Sequence, residues 1–204
     1  MHLHYLALIP IIKLIGYPGI AAVIYLESGV FFGFFLPGAS LLFTAGLLSS
    51  QGYFNVWILI PLVTIAAILG DNTGYWFGNK VGIKLFLRPN SRFFKHEHLV
   101  QAKDFYDRHG AIAIMLARFI PIVRTFAPII AGIVEMRYAT FVFYNIIGAL
   151  AWASGTTFLG YFLGARFPSI DRYLLVIVLI IVIVTTVPLF FEIWRRQKTS
   201  ARKD

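Results

Sequence analysis

A 43-residue interval without a charged side chain, at positions 28–70, lies between Glu27 and Asp71. Further charge-free runs of 28 and 19 residues follow at positions 138–165 and 173–191. Because about 20 apolar residues carry a helix across the hydrocarbon core of a bilayer, each run has the length of at least one span. Only 13% of the side chains are charged, and the mean hydropathy is +0.78. These features predict an all-α integral membrane protein rather than a soluble domain.

Glycine and proline divide the first interval, which is too long for a single span. We predict a hairpin at 18–50 that is broken at 35–38, with Pro37 and Gly38 as its hinge, and then a transmembrane helix at 55–77. The apolar segment at 2–17, which precedes this hairpin, is too short for a span, so we predict an interfacial or partly inserted helix there. The chain divides into a first repeat at 17–79, a polar loop at 80–109, a second repeat at 110–165, an additional transmembrane helix at 172–193 and a tail at 194–204, all within one membrane domain.

Basic residues dominate the two polar segments. The loop at 80–109 carries seven Lys or Arg against three acidic residues, and the tail carries five basic residues. The positive-inside rule therefore predicts that both segments face the cytoplasm. Part of the loop, at 96–107, has the pattern of an amphipathic helix that can lie on the membrane. Since an anionic membrane surface accounts for the net charge of +9, no nucleic-acid partner is expected.

The stretch at 117–132, A-R-F-I-P-I-V-R-T-F-A-P-I-I-A-G, combines two arginines and two prolines in an apolar run. An ionisable residue at membrane depth costs at least a few kcal/mol, so Arg118 and Arg124 require a reason to be there. Pro121 and Pro128 disfavour one smooth helix. A break near Pro121 would turn both guanidinium groups toward one place, which predicts a second re-entrant hairpin at 111–136. The alternative is that both arginines reach the headgroups from a surface loop.

Short sequences recur along the chain at nearly constant offsets. The matches are residues 74–78 with 160–164 and 45–46 with 131–132 at an offset of 86, and Gly19 with Gly110, Pro37 with Pro128 and Glu27 with Arg118 at an offset of 91. Each copy contains one hairpin and one span, so successive copies have opposite orientations. The pattern predicts an inverted repeat with two hairpins that meet near the midplane, and it makes Glu27 and Arg118 expected partners.

The sequence contains no pattern typical of a catalytic or metal centre. It has no cysteine, and its five histidines form no metal-ligand pattern with carboxylates in an apolar segment. No Ser-His-Asp or Asp-x-Asp set occurs near the arginines, so no catalytic residue, metal or cofactor is predicted.

Six ordered motifs, extending over roughly residues 16–164, carry a family resemblance. They are Glu27, F-x-P-G at 35–38, G-D-x-x-G-Y-x-x-G at 70–78, R-F-x-P-x-x-R at 118–124, P-x-x-A-G at 128–132 and N-x-x-G-x-x-x-W at 145–152. The chain resembles the DedA family, the bacterial branch of the SNARE-associated or VTT-domain membrane proteins. The resemblance implies translocation of undecaprenyl phosphate or a phospholipid across the bacterial inner membrane, with suspected coupling to the proton gradient.

The resemblance also implies site residues. Glu27, Arg118 and Arg124 match the functional positions of the family. Apart from the resemblance, Gly132 joins the prolines and Gly38 among the hairpin and hinge positions, because glycine allows close helix approach or hinge motion. Many members carry an acid directly after F-x-P-G, where this chain has Ala39, so proton coupling by a carboxylate pair stays open.

Asp71 is the remaining acid at membrane depth. It is a candidate for proton coupling beside Glu27, and its alternative role is helix packing in which Asn72 and Thr73 hold the carboxylate.

Three function classes remain for such a chain. Arginine suits phosphate because its planar fork donates two parallel hydrogen bonds, which favours a carrier whose partner is a lipid with a phosphate headgroup. The rivals are a membrane lipid phosphatase or transferase, and a structural membrane protein in which Glu27 and Arg118 form a buried ion pair. Protons are a second expected partner of the carrier, and a homo-oligomer is compatible with the sequence.

Overall fold

The computed structural model describes residues 3–29, 38–82, 112–119 and 121–167, and within these ranges the chain is helical without a β-strand. The helices are α1 (Leu3–Gly29), α2 (Gly38–Ser50), α3 (Val56–Phe77), α4 (Ile112–Ala117), α5 (Pro121–Ile133), α6 (Tyr138–Ala149) and α7 (Gly155–Arg166). Two π-helical turns, Gly78–Gly82 and Leu150–Ser154, extend α3 and join α6 to α7. The predicted all-α class is confirmed for this part of the chain. The predicted loop helix at 96–107, the last span at 172–193 and the tail lie outside the described residues.

Among the described residues, two continuous helices are long and apolar enough to cross a membrane, and both match predicted spans. They are Val56–Val81 with 26 residues and Tyr138–Arg166 with 29 residues. Asn55 caps the start of the first of these helices, because its Oδ1 accepts the N–H of Trp57 at 2.9 Å. Trp57 and Trp76 are both exposed and lie 19 residues apart along α3. Their separation of about 28 Å is close to the thickness of the hydrocarbon core, at whose two surfaces tryptophan is enriched.

The helices α1 and α2 carry the first predicted hairpin. The helix α1 bends at Gly16, which has a left-handed φ of 57°, and then packs along α3. The neighbouring Tyr17 accepts the N–H of Asn55 at 2.6 Å, which attaches the bend to the start of α3. The helix α2 has 13 residues, about 20 Å, and so is shorter than a span. Of the predicted break at 35–38, only Gly38 is described, and it begins α2.

The second predicted hairpin is an interrupted helix. The chain leaves α4 after Ala117, turns at Arg118 and Phe119, and resumes as α5. The break near Pro121 is therefore confirmed. Pro121 is the first residue of α5, where its missing N–H removes no hydrogen bond of the helix. Pro128 lies inside α5 and does not end it.

The short helices pack across the two halves of the chain. The helix α2 packs on α7, and α5 packs on α3 and its π-helical turn. Each close approach occurs at a glycine, where an added Cβ would collide with a backbone carbonyl of the facing helix. The pairs of glycine and carbonyl are Gly46 with Thr157, Gly160 with Phe43, Gly132 with Tyr75 and Gly78 with Ile129. Glycine is required here because these helices touch backbone to backbone. The short helix α2 of the first half of the chain therefore packs on α7 of the second half, and the short helix α5 of the second half packs on α3 of the first.

Candidate functional site

The four ionisable residues singled out from the apolar sequence come together in one buried cluster. Glu27 lies near the end of α1, Asp71 in α3, Arg118 in the turn after α4 and Arg124 in the first turns of α5. None of the four is more than 7% exposed. The close crossing of α1 and α3 at Gly29, where an added Cβ would lie 2.6 Å from the carbonyl oxygen of Gly70, brings the end of α1 that carries Glu27 against the part of α3 that carries Asp71.

Arg118 is held by groups from α3 and α6. Its Nη2 forms an ion pair and hydrogen bond with Asp71 Oδ2. The same nitrogen donates to Asn145 Oδ1 at 2.5 Å and to the carbonyl of Ala67 at 3.5 Å. Asn145 is fully buried and donates its Nδ2 to the carbonyl of Ile68 at 3.3 Å, so its amide is fixed as well. Arg118 thus has one carboxylate and one amide that determine its orientation.

Arg124 has a different environment. Its Nη2 lies 3.2 Å from Glu27 Oε1, an ion pair without the geometry of a hydrogen bond. The ring of Trp152 covers the guanidinium, with Cζ 3.7 Å from the ring centroid. A guanidinium stacked on indole keeps its edge available for hydrogen bonds, while its face is shielded. Arg124 is therefore positioned by stacking and charge rather than by a complete set of hydrogen bonds.

The expected pairing of Glu27 with Arg118 is wrong. The structure pairs Glu27 with Arg124 and Arg118 with Asp71. The break at residues 118–119 turns the side chain of Arg118 toward α3 and α6, where Asp71 and Asn145 engage it. Arg124, beyond the break, then faces the end of α1.

The packing role of Asp71 through Asn72 and Thr73 is not what the structure shows. Asn72 donates to the carbonyl of Ile68 at 2.8 Å, and Thr73 Oγ1 donates to that of Leu69 at 2.9 Å. Asp71 instead bonds to Arg118. Its carboxylate belongs to the charged cluster.

Several buried polar atoms of the cluster have no hydrogen-bond partner among the described residues. They are Glu27 Oε2, Arg118 Nε and Arg124 Nη2. Buried polar groups in folded proteins are nearly always paired, so three orphans in one cluster need an explanation. Two cations and two anions give the cluster a formal charge of zero. The unused donors on both arginines give it the capacity to bind an anion with several oxygens.

Two residues that contact the cluster, Asn145 and Trp152, were not predicted as site residues from the sequence. They are the first and last residues of the motif N-x-x-G-x-x-x-W, and each contacts an arginine: Asn145 contacts Arg118 and Trp152 contacts Arg124. The glycine of that motif, Gly148, also contributes, because an added Cβ would lie 2.9 Å from Arg118 Cδ. The spacing of seven residues put Asn145 and Trp152 on one helix face, which was the available signal. Their partners became visible only in the structure.

The chain is similar to known membrane proteins over most of its length. The sequence model of the VTT domain matches residues 36–162. Protein DedA of Escherichia coli strain K12 is 42% identical over 182 residues, which cover 88% of this chain and 83% of that protein. An uncharacterized membrane protein of Mycobacterium leprae is 40% identical over 185 residues, covering 91% and 82% of the two chains. An uncharacterized membrane protein of Synechocystis is 37% identical over 150 residues, covering 73% and 67%. No solved structure matches the chain.

Proposed function

Because the chain belongs to the VTT-domain family of membrane proteins, which includes Protein DedA, we propose that it carries a phosphate-bearing lipid between the leaflets of the bacterial inner membrane. The lipid is undecaprenyl phosphate or a phospholipid, and it is moved without being cleaved. One observation carries the proposal: two buried arginines converge in an apolar protein and retain unused hydrogen-bond donors. Arginine binds phosphate through its planar fork and stays charged in all conditions.

The depth of the cluster supports this function. If Trp57 and Trp76 mark the two surfaces of the hydrocarbon core, the middle of α3 lies near Ala67. The carbonyl of Ala67 accepts from Arg118, and Asp71 is one helical turn further along. The charged cluster then lies close to the bilayer midplane. A carrier needs its headgroup site at that depth, whereas an enzyme acting on one leaflet has no such need.

The course of the short helices supports an inverted repeat of two re-entrant hairpins. The end of α2 lies beside the start of α3, because only residues 51–55 connect them. The end of α5 lies beside the other end of α3, where Tyr75 donates to the carbonyl of Met136 at 2.5 Å and Asn79 to that of Gly132 at 3.4 Å. Both helices begin at the charged cluster and are shorter than a span. We infer that they enter the bilayer from opposite faces.

The proposed transport cycle uses the charges of the cluster. A phosphate headgroup would bind between the arginines while the lipid tail stays in the bilayer. Its arrival would displace the Glu27 carboxylate from Arg124, and protonation of Glu27 would ease the exchange. This step would couple transport to the proton gradient. Asp71 would remain with Arg118 and keep that guanidinium oriented.

A liposome experiment distinguishes the carrier from its rivals. The purified protein is reconstituted with a polyprenyl phosphate labelled with ³²P, and a soluble phosphatase is added outside. A carrier makes the inner-leaflet lipid accessible, so the phosphatase releases all the label instead of the outer-leaflet fraction. Release of label before the phosphatase is added would identify an enzyme. Protection of the inner-leaflet lipid, as in protein-free liposomes, would reject transport of a polyprenyl phosphate, and the same result with a labelled phospholipid would favour the structural role.

The proposed topology predicts which cysteine substitutions are accessible from outside. Gln51 lies in the exposed turn before α3, and the exposed Arg137 precedes α6 at the opposite end of α3. With the C-terminal end of α3 facing the cytoplasm, a membrane-impermeant thiol reagent should label Gln51→Cys but not Arg137→Cys in spheroplasts. The native chain has no cysteine, so each variant carries a single target. Permeabilised cells should label both. Labelling of both in intact spheroplasts would reject the opposed hairpins.

A further inference from the structure

The Glu27 carboxylate makes a second contact that the ion pair with Arg124 does not explain. The backbone amide of Gly38 faces this carboxylate, and Glu27 Oε2 lies where a Cβ on residue 38 would have to be. Gly38 is the first residue of α2. One carboxylate oxygen therefore points at Arg124 and the other at the start of a helix.

The start of α2 is suited to an anion. The first amide groups of a helix have no acceptor within the helix, and the helix dipole adds partial positive charge there. The helix has 13 residues, and no acidic residue occupies its first turn. The anion present at this end is Glu27, which is 5% exposed and whose Oε2 has no hydrogen-bond partner among the described residues. A buried, unpartnered carboxylate oxygen thus points at a helix N-terminus.

We propose that the N-terminus of α2 and the guanidinium of Arg124 together form the binding site of the lipid phosphate, and that the Glu27 carboxylate occupies this site when no lipid is bound. This inference rests on the proposed transport of a phosphate lipid and adds the backbone part of its site. A phosphate group presents several oxygens and can replace both contacts of the carboxylate. Helix N-termini are common phosphate sites for this reason. The absence of a side chain on Gly38 leaves the room that either anion requires.

The amide of Gly38 can be observed directly. The sequence contains two Pro–Gly pairs, residues 18–19 and 37–38, so labelling with ¹³C-carbonyl proline and ¹⁵N-glycine selects two amides of the whole protein. The probe is dodecyl phosphate, added to the purified protein in detergent. The Gly38 amide proton should shift downfield and saturate with the ligand, because a phosphate oxygen would accept a hydrogen bond from it, whereas Glu27 Oε2 has no hydrogen-bond partner among the described residues. The Gly19 amide should stay in place and serves as the internal control.

Two sets of variants test how charge at this binding site affects phosphate affinity. Ala39→Glu adds a fixed anion to the first turn of α2 and should weaken dodecyl phosphate binding about tenfold more than Ala39→Gln, which adds similar bulk without charge. Glu27→Gln removes the competing anion and should tighten binding about tenfold, since the ligand no longer has to displace it. Thermal melts confirm that each variant is folded before its affinity is compared.

The outcomes separate this inference from the function on which it rests. If dodecyl phosphate binds and Arg124→Ala abolishes binding while the Gly38 amide does not move, the helix N-terminus is not part of the site, although the carrier function stands. If inorganic phosphate shifts Gly38 at the same concentration as dodecyl phosphate, the ligand is free phosphate and the assignment to a lipid is overturned. If dodecyl phosphate does not bind and the liposomes show no transfer, the proposed function itself fails.

Discussion

Arg118→Ala and Arg124→Ala should each reduce lipid transfer in liposomes to the protein-free rate. Each change removes a guanidinium that can form two charge-assisted hydrogen bonds to phosphate, which corresponds to a loss of about 100-fold or more in affinity for the headgroup. Arg→Lys keeps the charge and should fail as well. At position 118 a lysine has one nitrogen for Asp71 and Asn145 and no second donor nitrogen such as Nε of Arg118 for a phosphate, and at position 124 it loses the stack on Trp152.

The matched control for these variants is Arg137→Ala. Arg137 is exposed at the start of α6, and its side chain forms no capping hydrogen bond. This variant should transport at the rate of the unchanged protein. Substantial transfer by Arg124→Lys would show that charge alone is sufficient at that position and would reject the fork as the recognising group.

Asp71→Ala should be the most destabilising single change in the charged cluster. It leaves Arg118 buried without its carboxylate, and removal of one partner from a buried ion pair costs about 3–5 kcal/mol. The melting temperature in detergent should fall clearly, and transport should fall with it. The double variant Asp71→Asn with Arg118→Gln replaces both charges by neutral polar groups and leaves no unpaired buried charge, so most of the lost stability should return.

The activity of that double variant decides the role of the pair. If Arg118 binds phosphate, the recovered protein remains inactive in the liposome assay. Normal transport by a stable double variant would make Asp71 and Arg118 a structural pair and would leave Arg124 as the sole arginine of the site.

The long helices and the break before Pro121 could be predicted because they depend on local sequence. Charge-free runs of sufficient length identified α3 and the α6–α7 helix, and proline located the break. The pairing of charges could not be predicted in this way. It depends on which face each segment presents after a break, and hydropathy along the chain carries no information about that. Arg124 therefore pairs with Glu27, the carboxylate that was expected for Arg118, and Arg118 pairs with Asp71.

The predicted internal repeat shows a second limit of sequence comparison. The sequence aligns Gly160 with Gly74. In the structure, Gly160 packs against a backbone carbonyl of α2, and the glycine that packs in the same way against a carbonyl of α5 is Gly78, in the π-helical extension of α3. The two glycines are four residues apart, about one helical turn. Matching sequence motifs found the related helices but displaced their register by one turn, because contacts between helices are set by three-dimensional packing.

The exchange of short helices between the two halves restricts how the protein can move. A rocking of one half past the other would have to separate α2 from α7 and α5 from α3 together, and both contacts are direct backbone packing at glycine. Close-packed interfaces of this kind do not deform gradually. The contacts of α2 with α7 and of α5 with α3 are therefore fixed, whereas the turn of Arg118 and Phe119 separates α5 from α4. In the proposed carrier, a headgroup at the midplane would be passed between leaflets by small displacements of this turn and of the first residues of α2 inside a rigid frame.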